Sequence, residues 1–81
     1  MRATVFVRPK AGILDPQGQA VQSGLQHLGF AVDRAHVGRL VELDLAVDDE
    51  AEARAQVERM CEQLLANTLI ESYEIELHPG P

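Results

Sequence analysis

Two segments of the chain alternate between apolar and polar residues, and this alternation constrains the fold more than any other feature. The first reads LVELDLAV over residues 40–47, and the second reads IESYEIEL over residues 70–77. Because successive side chains of a β-strand point to opposite faces of the sheet, each segment predicts a strand with one apolar and one polar face. The chain therefore needs an antiparallel sheet that is covered on one face and open on the other.

The remaining patterns predict two helices and two further strands. The pair Asp15-Pro16 is typical of a helix start, because aspartate caps free N–H groups and proline lacks one. A stripe of apolar residues at spacings of three and four follows Asp48-Asp49 and predicts a second helix. Gly38-Arg39 has the length of a tight hairpin turn. The predicted elements are strands at Ala3–Val7, Val32–Val37, Leu40–Val47 and Ile70–Leu77, and helices at Pro16–Leu28 and Glu50–Ala66.

This β-α-β-β-α-β order predicts a ferredoxin-like α+β fold, a four-stranded antiparallel sheet with two helices on one face, in a single domain over residues 1–81. The covered face is predicted to hold Val5, Val7, Val41, Leu43, Leu45, Tyr73 and Ile75. The open face is predicted to hold Phe6, Arg8, Arg34, His36, Glu42, Asp44, Glu74 and Glu76. An open face with unpaired edge strands favours the binding of another chain.

The balance of charges excludes several classes of partner. The chain has 13 Asp and Glu against 7 Lys and Arg, a net charge of −6, which disfavours nucleic acids and anionic lipid surfaces. No apolar run reaches the roughly 18 residues that a membrane span needs, and Met1 leads directly into a strand-like segment, so we expect a cytoplasmic protein. Because a domain of 81 residues has a thin core, we expect help from a second subunit.

The loop KAGILDPQG, residues 10–18, is the segment closest to a ligand-binding turn. A phosphate cradle needs free backbone N–H groups at a helix N-terminus. Here the Asp15 carboxylate covers those donors and Pro16 removes one, so we interpret the loop as a structural turn or an interface element. Cys61 lies on an apolar helix stripe and is interpreted as a packed thiol, and the histidines lack metal-ligand spacing. The sequence therefore predicts no catalytic, metal-binding or cofactor-binding residue.

Three stretches carry a resemblance to a known family. They are KAGILDPQGQAVQSGLQHLGF at residues 10–30, VGRLVELDL at residues 37–45 and MCEQLLANTLIESYEIEL at residues 60–77. Together they resemble the PurS family, the small subunit of phosphoribosylformylglycinamidine (FGAM) synthase in de novo purine synthesis, nearly from end to end. The resemblance implies a PurS-like fold and an accessory role in this ATP-dependent glutamine amidoligase.

The roles of the other subunits in this family indicate which partners to expect. In that family the synthetase subunit PurL binds ATP, magnesium and formylglycinamide ribonucleotide, and the glutaminase subunit PurQ releases ammonia. PurS-type chains associate with themselves, as dimers or tetramers, and join the two larger subunits so that ammonia passes between them. This chain alone would then bind no cofactor and carry no catalytic residue.

Five polar residues are the hypothesised contacts with partner chains: Lys10, Asp15 and Gln17 in the first loop, Arg39 at the hairpin, and Asn67 at the exit of the second helix. Capping and turn formation explain Asp15 and Asn67 at least as well. The alternative function is a self-associating ACT-like module that binds a small molecule, because such modules share the element order. An acylphosphatase-like enzyme is a third possibility, but the first loop offers only a lysine where such enzymes use an arginine.

Overall fold

The protein is described by a computed structural model over residues 1–80, and Pro81, the last residue of the predicted domain, lies outside the described residues. Its elements are β1 (Arg2–Pro9), α1 (Pro16–His27), β2 (Arg39–Asp44), α2 (Glu50–Met60) with a following π-helical turn (Cys61–Leu65), and β3 (Glu71–His78). The strands form one antiparallel sheet in the order β2-β1-β3. Both helices and these three strands confirm the sequence prediction, with ends that differ by a few residues.

The core lies between the sheet and α2. Val5 and Val7 from β1 and Val57 from α2 are at most 1% exposed. Val5 is paired with Val41 on β2 and with Ile75 on β3, so one row of apolar side chains crosses the sheet under the helix. All seven residues predicted for the covered face belong to this core cluster or pack against it.

The second helix changes its winding before it ends. Asp49 caps it by accepting a hydrogen bond from the Glu52 backbone N–H at 2.8 Å. Its last turn widens, since the Ala66 N–H donates to the carbonyl of Cys61, five residues back, at 3.0 Å. Cys61 is fully buried in this turn, as the sequence predicts. The helical segment ends at Leu65, so the predicted end at Ala66 is one residue too late.

The predicted fourth strand, Val32–Val37, is not formed, so the sheet has three strands rather than four. Side chains take two of its backbone N–H donors, which are therefore not available to a sheet ladder. The Val37 N–H donates to the carboxylate of Asp15 at 2.9 Å, and the Ala35 N–H donates to the side chain of Gln22 at 3.3 Å. The chain then passes directly into β2, and the predicted hairpin at its start is absent.

The prediction of two helices on one face is also wrong, because α1 projects from the sheet while α2 covers it. Gly18 is the only buried residue of α1, and Val21, Leu28 and Phe30 are 44%, 75% and 60% exposed. The chain measures 48 × 29 × 14 Å with a radius of gyration of 15.9 Å, whereas a compact domain of this length has about 12 Å. We call residues 16–37 the arm.

Candidate functional site at one end of the sheet

Antiparallel pairing brings three separate stretches of the chain to one end of the sheet. Because β1 runs against both neighbours, its last residues lie beside the first residues of β2 and β3, with Val7 opposite Arg39 and Pro9 opposite Glu71. The first loop leaves β1 at this end, and the exit of α2 enters β3 here. We call this end of the molecule, residues 10–17, 37–39 and 65–71, the corner.

An ion pair between Arg39 and Glu71 fastens the corner. The guanidinium makes two bonds to the carboxylate, at 2.7 and 3.1 Å, and also donates to the carbonyl of Leu65 at 2.5 Å. The Glu71 side chain is 17% exposed and accepts a further bond from the Asn67 N–H at 2.7 Å. Arg39 and then Asn67 lower the pKa of Glu71, and Glu71 raises the pKa of Arg39. The start of β2 is thereby tied to the helix exit and to β3.

Lys10 and Asn67 close the loop between helix and strand. The Lys10 ammonium donates to the carbonyl of Thr68 at 2.6 Å, and its backbone N–H donates to the carbonyl of Ile70 at 2.8 Å. The Asn67 side chain accepts from the Leu69 N–H at 3.2 Å, which makes a local turn. The loop over residues 67–70 is therefore held from both sides.

Asp15 joins the first loop to the arm. One carboxylate oxygen accepts from the Gly18 N–H at 3.0 Å and caps α1, and the other accepts from the Val37 N–H at 2.9 Å. These bonds, with that from Val37 the stronger cause, lower the pKa of the Asp15 carboxyl. The predicted cap is confirmed, and the second bond is an addition that the sequence did not reveal.

The five predicted contact residues converge here. A cleft of about 310 Å³ is lined by Asp15, Gln17 and Arg39, and the bonds of Lys10 and Asn67 bring both residues to the same corner. Within residues 1–80 the side chain of Gln17 makes no hydrogen bond, whereas the other four are engaged internally.

Sequence reasoning missed the apolar part of the corner. Leu14 and Leu69 are 70% and 85% exposed, and Ile13 and Ile70 are 39% and 41% exposed. Exposed apolar side chains grouped beside polar ones are typical of protein interaction sites. A signal was present, because ILDP and NTLI put large apolar residues inside turns, where the chain cannot bury them.

The described residues were also compared with the requirements of a metal site, a reactive thiol and a membrane-spanning helix. Among residues 1–80 no group of three or more His, Cys, Asp or Glu side chains could hold a metal ion. Burial raises the pKa of the Cys61 thiol, which is opposite to the shift that activates a nucleophile. No helix within the described part of the chain is long and apolar enough to cross a bilayer.

The fold and the corner define a class: small α+β proteins whose prominent features are a projecting helix and an exposed apolar corner, both suited to contact with other chains. A family model described as PurS, phosphoribosylformylglycinamidine (FGAM) synthase, matches residues 2–79. The chain belongs to the PurS family. The resemblance found in the sequence is thereby confirmed, and the ACT-like alternative gains no support.

Individual relatives agree with this assignment. The chain is 49% identical to the FGAM synthase subunit PurS of Synechocystis, over 90% of this chain and 74% of that protein. It is similar to the crystal structure of Methanocaldococcus jannaschii PurS, a subunit of the formylglycinamide ribonucleotide amidotransferase of purine biosynthesis, with a TM-score of 0.86, 33% identity and coverage of 99% and 98%. It is also similar to a chain in the structure of PurLQS from Thermotoga maritima, with a TM-score of 0.84, 25% identity and 93% coverage of both chains.

Proposed function

We propose that this chain is the small subunit that holds the synthetase PurL and the glutaminase PurQ together in FGAM synthase, so that ammonia made by PurQ reaches PurL. The observation that carries the proposal is its likeness to the Thermotoga maritima chain solved within PurLQS. ATP and Mg²⁺ act in PurL, and this chain supplies orientation rather than a reacting group. Fixing two active sites relative to each other keeps a small neutral intermediate from escaping into water. The lone Cys61 is compatible with work in the reducing cytoplasm.

The corner is the surface that we assign to the larger subunits. Its apolar side chains, Leu14 and Leu69 foremost, stand on loops already fixed by internal hydrogen bonds. A surface that is ordered before binding loses less conformational entropy on binding. Asp15, Arg39 and Asn67 act by shaping this surface, and Gln17 acts by direct contact. Lys10 does both, because its ammonium group holds the carbonyl of Thr68 without losing its charge.

The arm supports self-association. The accessible area of the chain is 5857 Å², whereas a compact monomer of this mass exposes about 4,800 Å². The difference in accessible area, about 1,050 Å², is enough to supply the roughly 800 Å² that each partner buries in an ordinary interface. Within residues 1–80 the outer edge of β2 is unpaired, and residues 32–37 belong to no helix or strand. Residues 32–37 of one copy would therefore pair with β2 of a second copy and complete the four-stranded ferredoxin-like sheet across a homodimer.

The test of the bridging role is glutamine-driven amidation of formylglycinamide ribonucleotide by three purified chains. We expect rapid amidation only when this chain is mixed with PurL and PurQ. Ammonia supplied directly to PurL serves as the control for the synthetase itself. An equal rate of glutamine-driven amidation without this chain would refute the proposal.

Two variants separate the corner from the arm. L14S/L69S is expected to weaken binding of the larger subunits and leave the mass of the isolated protein unchanged in light scattering. Leu28→Ser, 75% exposed on the arm, is expected to lower that mass. A strictly monomeric wild-type protein would contradict the assignment of the arm.

A further inference from the structure

A groove of about 920 Å³ is formed by β1, the first loop and the residues that lead into β2. Four of the seven basic residues of the chain line it, namely Arg8, Lys10, Arg34 and Arg39. Asp15 is the one acidic residue in the lining, and backbone N–H groups occupy both of its carboxylate oxygens. A protein with a net charge of −6 therefore collects most of its cations around one concave surface.

Three of these four cations are available to a partner. Arg34 is exposed and forms no ion pair with any residue in the range 1–80. Lys10 bonds only to neutral carbonyl groups, so its charge is not compensated. Arg8 pairs with Glu74 at 3.4 Å, but both side chains are more than half exposed, and such a pair exchanges readily. Arg39 is paired with the carboxylate of Glu71 in the corner, so it is not counted among the available cations.

The groove also has an apolar part. Phe6, Ile13 and Leu40 line it, and Leu40 is 52% exposed. The guanidinium of Arg8 lies 5.8 Å from the centre of the Phe6 ring, which places a cation directly beside an aromatic surface. An occupant that matches this lining has carboxylates and at least one apolar side chain.

We propose that the groove binds an acidic segment of one of the two larger subunits, in which clustered Asp or Glu side chains flank an apolar anchor. The inference rests on the proposed function and assigns one contact surface within it. A phosphorylated metabolite fits less well, because metabolite sites enclose most of the ligand with fixed polar groups, whereas the cations here are exposed. A second copy of this acidic chain is the remaining occupant, and its Asp48–Glu52 segment would be the part to enter.

The experiment compares two double charge reversals in the complete chain. R8E/R34E changes the groove, and R54E/R59E makes the same change of charge on α2, outside the lining. Affinity for purified PurL and for purified PurQ is measured separately at low and high salt. We expect R8E/R34E to weaken binding of one larger subunit by at least about 10-fold at low salt and R54E/R59E by less than about twofold. The salt dependence of binding should fall in the groove variant only.

Each outcome decides the matter. Wild-type protein that binds neither larger subunit defeats the proposed function itself. If the wild-type protein binds and the two variants bind with equal affinity, the groove assignment is wrong and the proposed function stands. Loss of self-association in R8E/R34E without loss of affinity for either larger subunit overturns the inference, because it leaves Arg34 only the role in self-association already proposed for residues 32–37. Saturable binding of inorganic phosphate that R8E/R34E abolishes identifies an anion site and also overturns the inference. If R8E/R34E fails to fold, R8Q/R34Q replaces it, because glutamine adds no negative charge beside Glu74. We expect R8Q/R34Q to lose affinity to an intermediate extent.

Discussion

Truncation of Val57 to alanine tests whether the core lies between α2 and the sheet. Val57 is fully buried and belongs to the cluster that includes Val5 and Val7. The change removes two buried carbon groups, about 1.6 kcal/mol of transfer free energy at about 0.8 kcal/mol each, and the remaining cavity adds about 1 kcal/mol. We expect the free energy of unfolding to fall by about 2–3 kcal/mol and Tm by roughly 10–20 °C in a domain of this size.

The matched control is Val21→Ala on the arm. Val21 is 44% exposed, so its truncation removes little buried contact. Because alanine has the better helix propensity by roughly 0.6 kcal/mol, the free energy of unfolding at low protein concentration should change by no more than about 0.5 kcal/mol. Thermal unfolding is followed by circular dichroism over a dilution series. If the arm packs on a second copy, the effect of Val21→Ala grows with protein concentration. A Val57→Ala shift below about 3 °C, or equal effects of the two variants at the lowest concentration, would refute the reasoning.

Three further predictions follow from local geometry. Gly18→Ala is expected to destabilise the protein, because a Cβ there would lie 2.2 Å from a carboxylate oxygen of Asp15, whereas Gly24→Ala, with nothing within 4 Å, should stabilise it by about 0.5–1 kcal/mol in denaturant titrations. The Tyr73 hydroxyl donates a hydrogen bond to the Glu62 carboxylate at 2.9 Å, and this bond raises the pKa of the sole tyrosine to about 12. Glu62→Gln should therefore move the absorbance transition of the phenolate toward pH 10. A transition that does not move would contradict the contact. Because hydrogen bonds from Val37 and Gly18 lower the pKa of Asp15, its stabilising contribution is complete above the ordinary aspartate pKa of 3.8 and is lost as pH falls through the lower folded-state pKa. An acid titration of Asp15→Ala should therefore show a smaller loss of stability in that range than the wild type.

The alternating segments were predictable because a strand's pattern is a local property. Val41, Leu43 and Leu45 point to one face whatever the strand pairs with, and their packing against the buried core cluster confirms the prediction. The caps were predictable for the same reason, since Asp15 and Asp49 each bond to an N–H three residues ahead. The alternating strand pattern and the helix caps depend only on residues close together in the sequence, and the strands and helix starts that they predict are confirmed.

The corner was predictable in its polar residues but not in their roles. Arg39 was proposed as a free contact residue, yet it is engaged by Glu71, 32 positions away, and by the carbonyl of Leu65. Nothing in the spacing of the sequence indicates that pair, because it arises from antiparallel pairing of both strands with β1. The exposure of Leu14 and Leu69, by contrast, had a local signal, because ILDP and NTLI place large apolar residues in turns.

The failed prediction of a fourth strand is the most informative difference. Residues 32–37 carry two β-branched side chains, which favour a strand, but the segment bends at Asp33 and forms no strand. Pairing, however, needs an edge within reach, and the Asp15 and Gln22 side chains hold two N–H groups of this segment away from β2 of the same chain. Backbone groups of this segment that have no partner within residues 1–80 need another chain or water. In the proposed homodimer a second copy supplies that other chain, so residues 32–37 would form the fourth strand between copies.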